Sequence, residues 1–183
     1  MKELNNNHEI LNQILKKIKN KNYKEAETEL IKIIKIEKNN YQAYYLLGIV
    51  FGLNKEFEKA AENFKYSITL NNKNKLAFYN LGVMLKEIGQ NKESQSSFNK
   101  AIQIDPNYVE ANLAIAKYND ENNKFTDAKK YYEKTLSLDS NNKLANQLYG
   151  RFLIRIGEIK KGQYYNYKYS GVIRFDEKDF KII

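Results

Sequence analysis

The chain of 183 residues contains no cysteine and no tryptophan, a single histidine and a single proline. The absence of cysteine excludes disulfides, thiolate metal sites and cysteine nucleophiles. One histidine, His8, excludes a metal centre built from several imidazoles. No run approaches the ~18 apolar residues of a membrane-spanning helix, and the opening residues, MKELNNNHEILNQ, lack the apolar segment of a signal peptide. We therefore expect a cytoplasmic protein that needs no cofactor and no metal and does not cross a membrane.

Acidic residues are few relative to basic ones, since 31 Lys and Arg stand against 22 Asp and Glu and give a formal charge of +9. An acidic partner, such as nucleic acid or an acidic peptide, would explain this excess. Biased composition is the favoured explanation, because Asn and Lys are abundant and the arginines are few: Arg151, Arg155 and Arg174. The two signs alternate along the chain without a long block of either, which favours a solvated surface.

What the sequence does contain is a repeat with a period of 34 residues. One column of this register holds only small residues: Gly48, Gly82, Ala116 and Gly150. A second column is also small: Ala26, Ala60, Ser94 and Ala128. A third holds large residues until Asn166 interrupts it: Leu30, Phe64, Phe98 and Tyr132. Glycine inside a helix costs roughly 1 kcal/mol relative to alanine, so we expect the two small columns to face each other where helices cross, with the large residues on either side.

Each period reads as two amphipathic helices, separated from the next pair by polar segments such as NNKN at 71–74 and DPN at 105–107. Pro106 disfavours helical geometry at Asp105 and so ends the preceding helix. We assign repeats at 7–40, 41–74, 75–108 and 109–142, with a degenerate fifth at 143–170. The array then occupies residues 1–165, followed by a divergent tail at 166–183.

These residue types and this spacing resemble the tetratricopeptide repeat. Its aromatic, Leu-Gly and aromatic pattern is matched by Tyr44, Leu47, Gly48 and Phe51, and its second-half Ala, Phe and Pro by Phe98, Ala101 and Pro106. The resemblance implies an all-α, right-handed superhelical array of four to five helix-turn-helix repeats. In the first repeat, Ile14 and Lys17 replace the small and aromatic residues, which suits a terminal cap.

By the same resemblance, first helices line a concave groove, and residues offset from the packing columns point into it. The predicted groove residues are Tyr45, Ile49, Leu53, Tyr79, Asn80, Val83, Lys86, Leu113, Lys117, Arg151 and Arg155. Their middle part is apolar and aromatic, which suits a docked peptide with tyrosine anchors. Their C-terminal part is basic and would grip a carboxylate.

A second interpretation keeps the same residues inside the protein. The rings of Tyr45 and Tyr79 would then pack on neighbouring helices, while Arg151 and Arg155 would pair with the tail acids Asp176 and Glu177. A chaperone-type carboxylate clamp is disfavoured, because Tyr45 and Ile49 stand where such a clamp needs Lys and Asn, and Asn80 matches alone. Carboxylates near hairpin ends, such as Asp120, are expected to be solvated rather than catalytic.

The leading hypothesis is a non-catalytic scaffold or adaptor that binds a peptide of another protein with an acidic end. The alternative is a substrate-docking accessory module of a glycosyltransferase or sulfotransferase, and the third is a basic nucleic-acid-binding surface. In the tail, Tyr165, Tyr167 and Tyr169 alternate as in a strand. The repeat instead predicts a helix from Ile159 to about Lys168, followed by an extended VIRF segment. The tyrosine-rich tail is also a candidate surface for self-association.

Overall fold

The structure, a computed structural model, describes residues 2–168, 175–176 and 181–182, with side chains from residue 9 to residue 168. These residues form ten helices and one short antiparallel β pair. The helices are α1 (Lys2–Lys19), α2 (Tyr23–Ile36), α3 (Tyr41–Leu53), α4 (Phe57–Leu70), α5 (Lys75–Glu87), α6 (Asn91–Ile104), α7 (Val109–Glu121), α8 (Phe125–Leu138), α9 (Lys143–Arg155) and α10 (Ile159–Tyr167). The strands are β1 (Phe175–Asp176) and β2 (Lys181–Ile182).

Successive helices pair as hairpins, from α1 with α2 to α9 with α10. The all-α class is therefore confirmed, and the helix predicted from Ile159 is present as α10. The chain divides into unit 1 (Met1–Ile104) and unit 2 (Asp105–Ile183). Most of the predicted VIRF segment and Tyr169 lie outside the described residues, and the limits of array and tail remain a prediction.

One left-handed residue closes the turn inside each of the five hairpins. These residues recur every 34 positions: Lys21, Lys55, Gly89, Asn123 and Gly157, with φ between 57° and 89°. The residue that follows donates its amide to a carbonyl five positions earlier, as Glu56 N does to Phe51 O at 2.9 Å. This arrangement satisfies carbonyls at a helix end and favours glycine or asparagine at the left-handed position.

Asparagines cap the start of three first helices. Asn40 and Asn142 each accept a backbone amide three residues ahead, and Asn74 accepts those of Leu76 and Ala77. The corresponding residue of α7 is Tyr108, whose side chain makes no such cap. An asparagine cap fixes the entry of the chain into a helix and contributes about 1 kcal/mol.

The small-residue columns lie inside the hairpins, but they do not all meet in the predicted way. A Cβ added to Gly48 would lie 2.8 Å from Cε1 of Phe64, and one added to Gly82 would lie 2.6 Å from Cε1 of Phe98. Large rings therefore cover these two glycines rather than flanking them. Ser94 of the second small column does reach Gly82, since its Oγ donates to the Gly82 carbonyl at 2.7 Å.

In the last hairpin, the two helices α9 and α10 approach each other more closely at the small-residue column. A Cβ added to Gly150 would lie 2.6 Å from the backbone N of Asn166 and 2.7 Å from the carbonyl oxygen of Gly162. Because Asn166 interrupts the column of large residues, no ring of that column covers Gly150, and the nearest atoms are backbone atoms of α10. Small residue meets small residue here, and the two backbones come into direct contact.

The two units have different interiors. The core of unit 1 is largely aliphatic, with side chains such as Ile14, Leu30 and Val50 fully buried beside Phe64. The core of unit 2 contains the fully buried rings of Tyr132, Tyr149 and Phe152, which stand 5.5–6.1 Å apart between centroids. The repeat register is thus shared, whereas the chemistry that fills it is not.

Candidate functional site

The first helices of unit 1 carry a strip of apolar side chains that the core does not fully cover. On α3 these are Tyr45, Ile49 and Leu53, which are spaced four residues apart and so share one face. Tyr79 and Val83 occupy the equivalent positions of α5, which packs beside α3. We call the first-helix face the set Leu15, Tyr45, Ile49, Leu53, Tyr79 and Val83. Leu15 and Leu53 are 46% and 49% exposed, while the tyrosines, Ile49 and Val83 are half-buried.

A hydrogen bond joins the two helices in the middle of this face. Nδ2 of Asn80 on α5 donates to the hydroxyl oxygen of Tyr45 on α3 at 3.0 Å. Burial raises the pKa of the Tyr45 hydroxyl, although the bond from Asn80 opposes that shift. The hydroxyl therefore keeps its proton near neutral pH, and since Asn80 is the donor, this proton can be donated to a ligand.

Each of the two tyrosine rings packs on a phenylalanine ring of the core. Tyr45 packs against Phe64 with centroids 5.8 Å apart, and Tyr79 packs against Phe98 at 5.6 Å. The interpretation in which these rings pack within the array thus describes one side of each ring. The other side is left partly open, and a ring fixed in this way loses little conformational entropy when it contacts a ligand.

An open depression of about 470 Å³ lies at the α3 and α5 N-terminal end of this face. Its lining is Tyr41, Gln42, Tyr45, Asn71, Lys73, Asn74, Lys75, Leu76 and Ile104. Two lysines and five amide or hydroxyl side chains line it together with apolar surface, and none of these lining residues is acidic. We call it the Tyr45 depression.

The basic positions predicted in the C-terminal repeats are used differently. In unit 2, Arg155 forms an ion pair with the Asp120 carboxylate and lies 5.3 Å above the Phe125 ring. Its Nη2 also donates to the Asp120 carbonyl at 3.1 Å. Arg155 therefore ties α9 to α7, and Asp120, expected to be solvated, has a side chain only 20% exposed. The side chains of Asp176 and Glu177 lie outside the described residues.

The other predicted positions divide between surface and core. Arg151 is exposed, and its guanidinium makes no ion pair with any side chain between residues 9 and 168. Lys117 and Lys86 are half-buried. Leu113 belongs to the core of unit 2 with 8% of its surface exposed, which leaves little of it for a ligand.

Two consecutive helix pairs of the chain match a known repeat family. The family model described as tetratricopeptide repeat matches residues 77–108 and 109–142, which are two consecutive helix pairs of the structure. Residues 77–142 are tetratricopeptide repeats. Repeats of this kind stack into extended surfaces that bind other proteins, so the fold is that of a protein-interaction scaffold.

Solved structures show the same fold at low sequence identity. MamA superposes with a TM-score of 0.76 at 23% identity, covering 84% of this chain and 90% of MamA. PilF of Pseudomonas aeruginosa gives 0.79 at 21%, covering 86% and 72%. YrrB, described as a tetratricopeptide repeat protein with an unusual peptide-binding site, gives 0.71 at 17%, covering 85% and 80%.

One curated relative matches by sequence over a shorter stretch. The uncharacterized protein ycf37 of Pyropia yezoensis is 39% identical over 61 residues, which are 33% of this chain and 34% of ycf37. The match thus spans about a third of that relative's length.

Sequence reasoning missed two buried asparagines of this tetratricopeptide array. Asn112 and Asn146 occupy the column in which Tyr44 and Phe78 are aromatic, and each is 1% exposed. Nδ2 of Asn112 donates to the carbonyls of Pro106 and Tyr108, at 3.1 and 2.8 Å. Asn146 bonds the equivalent carbonyls of its own loop. The signal was available, because the same replacement occurs twice at a spacing of 34.

Unit 2 also contains polar contacts that the spacing of residues in the sequence did not predict. The buried Tyr149 hydroxyl donates to Oε1 of Glu133 at 2.8 Å, and burial together with this carboxylate raises the pKa of Tyr149. Lys129 lies 2.6 Å from Glu158. That hydrogen-bonded pair lowers the pKa of the Glu158 carboxyl and raises the pKa of Lys129.

Over the residues whose placement is described, His, Asp and Glu side chains nowhere gather in a group of three or more that could hold a metal ion. Within that same part of the chain, every helix is too short or too polar to cross a bilayer. Catalysis by this chain and its location in the cell stay at the level of sequence prediction.

Proposed function

We propose that the first-helix face of unit 1 binds a peptide segment of another protein, so that the chain serves as a non-catalytic cytoplasmic adaptor. The observation that carries the proposal is the exposure of Leu15 and Leu53, 46% and 49%, on the face that also holds Tyr45 and Tyr79. Large aliphatic side chains are exposed there beside rigid aromatic ones, a combination typical of peptide-binding surfaces.

A peptide fits this face better than a small molecule does. The exposed side chains follow three neighbouring helices instead of converging on an enclosed cavity, and the Tyr45 depression at their end is open. Polar atoms beside the apolar strip, including the Tyr45 hydroxyl, suit the alternating apolar and polar groups of a peptide. The peptide-binding site named for YrrB is further support, because that protein shares this fold.

The test is a pull-down with an immobilised wild-type chain and two variants, Leu15→Glu and Leu53→Glu. Both side chains are about half exposed, so neither substitution should disturb folding, which circular dichroism will verify. We expect each variant to bind the main partner at least about tenfold more weakly than wild type, the loss typical of a truncated anchor residue. Ile36→Glu is the matched control, since Ile36 is 83% exposed and lies on the second helix α2.

Partners retained equally by wild type and both face variants would refute the proposal. Partners lost with Ile36→Glu as well would indicate general loss of apolar adhesion. Binding lost only in the two face variants supports the adaptor, and the identity of a specific partner then decides whether it serves a transferase.

A further inference from the structure

The Tyr45 depression carries hydrogen-bond donors and positive charge but no negatively charged group. Its lining includes two lysines and no carboxylate. The ammonium group of Lys73 is exposed, and it forms no ion pair with the side chains that the structure describes. Positive charge beside an apolar surface attracts an acidic group and fixes its position.

The two asparagines of the depression are oriented by the backbone. Oδ1 of Asn71 accepts the amide of Lys73 at 3.1 Å. Oδ1 of Asn74 accepts the amides of Leu76 and Ala77 at 3.1 and 3.2 Å. The acceptor atom of each side chain is therefore used internally, and what each offers outward is its Nδ2 donor.

We propose that the Tyr45 depression binds an aspartate or glutamate side chain of a peptide whose apolar residues lie on the first-helix face. The carboxylate accepts from Lys73, Asn71 and Asn74, while the Tyr45 hydroxyl supplies one further donor. Leu76 and Ile104, 43% and 37% exposed, contact the aliphatic part of the ligand. This inference rests on the proposed function, and it moves the acid-binding position from Arg155 in unit 2 to unit 1.

The experiment is a selection from a random-sequence peptide library displayed on phage, carried out on the full wild-type chain and on Lys73→Glu. Lys65→Glu is the matched control, because Lys65 is an exposed lysine on α4 of the same unit and outside the depression. Wild type and the control should enrich peptides with Asp or Glu next to apolar residues. The Lys73→Glu chain should lose that acidic preference.

The best enriched peptide is then labelled and titrated by fluorescence anisotropy. We expect Lys73→Glu to raise Kd at least fivefold, Lys73→Arg to retain binding, and Lys65→Glu to change Kd less than twofold. Equal losses with Lys65→Glu and Lys73→Glu would overturn the site, since they would report only net charge. Selected peptides without acid that still require Leu53 would overturn this inference and leave the proposed function intact, whereas no enrichment at all would refute both.

Discussion

Unit 1 and unit 2 build the same helical hairpins from different interiors. Unit 1 fills its register with aliphatic side chains and covers Gly48 and Gly82 with phenyl rings. Unit 2 uses buried tyrosines, whose hydroxyls reach carboxylates, and brings two backbones together at Gly150. A repeat register therefore fixes where large and small residues belong, but not whether packing or polar bonding stabilises the hairpin.

The largest effect should come from adding a side chain at the close backbone contact of unit 2. A methyl group at Gly150 would meet backbone atoms of Asn166 and Gly162, which cannot turn away as a side chain does. We expect Gly150→Ala to cost about 3 kcal/mol, the upper end of overpacking effects, and Gly82→Ala about 1–2 kcal/mol because the Phe98 ring can shift. Urea unfolding followed by circular dichroism measures both.

Hydrogen exchange would then locate the damage. In Gly150→Ala the amides of α9 and α10 should exchange faster, while those of α3 and α4 should be unchanged. Ala116 already stands in the column of Gly82 and Gly150 and is fully buried in the same core as Tyr132, so a methyl group can be accommodated in this column beside aromatic rings. A Gly82→Ala variant as unstable as Gly150→Ala would contradict the distinction between ring and backbone contacts.

The second effect tests whether polar bonding supports unit 2 more than unit 1. Tyr149→Phe removes a buried hydroxyl bonded to the Glu133 carboxylate, and we expect it to cost about 1.5 kcal/mol. Tyr45→Phe removes a half-buried hydroxyl whose donor, Asn80, can bond water, so its cost should stay below about 0.5 kcal/mol. Thermal melts of the two variants provide the comparison. Equal losses of stability would show that polar bonding supports the two units alike.

How far the sequence predicted these differences depends on the kind of contact. The period, the helix pairs and α10 followed from the spacing of apolar and small residues, whereas the backbone contact at Gly150 was not predicted from the interruption at Asn166. The pairing of Arg155 with Asp120 could not be predicted, because it depends on how two helix ends meet in space. Leu113 was expected on the groove but is buried, since helical spacing places a residue on a face without giving its depth.

A smaller effect concerns pH. The Lys129 ammonium lowers the pKa of Glu158 below its usual 4.5, so the folded state binds this proton less readily than the unfolded state. The stabilisation is therefore complete above about pH 4.5 and is lost as pH falls through the lowered pKa. Since both side chains are about a third exposed, we expect less than about 1 kcal/mol.

Lys129→Met tests this linkage. Its unfolding free energy should be lower than that of wild type at pH 7, and the difference should shrink as the pH falls through the lowered pKa of Glu158, where the wild-type carboxylate becomes protonated. Lys59→Met in unit 1, which breaks the exposed pair with Glu56, is the matched control and should change little at either pH. A difference between Lys129→Met and wild type that stays constant from pH 7 to pH 3 would contradict the assigned role of Glu158.

The smallest effect lies in the turns, where the comparison between units takes a different form. Unit 1 places lysine in the left-handed conformation in two hairpins, at Lys21 and Lys55, and glycine in a third, at Gly89, whereas unit 2 places Asn123 and Gly157 there. Lysine is strained in this region and glycine is not, so Lys55→Gly should stabilise the chain by about 0.5–1 kcal/mol after the entropy of glycine is counted. Gly157→Lys should destabilise it by a similar amount. A Cβ at Gly157 would meet nothing within 4 Å, so this loss would come from the backbone conformation alone. Opposite shifts of the melting temperature in the two variants would show that the two lysine-closed hairpins of unit 1 carry turn strain that the Gly157 turn of unit 2 avoids.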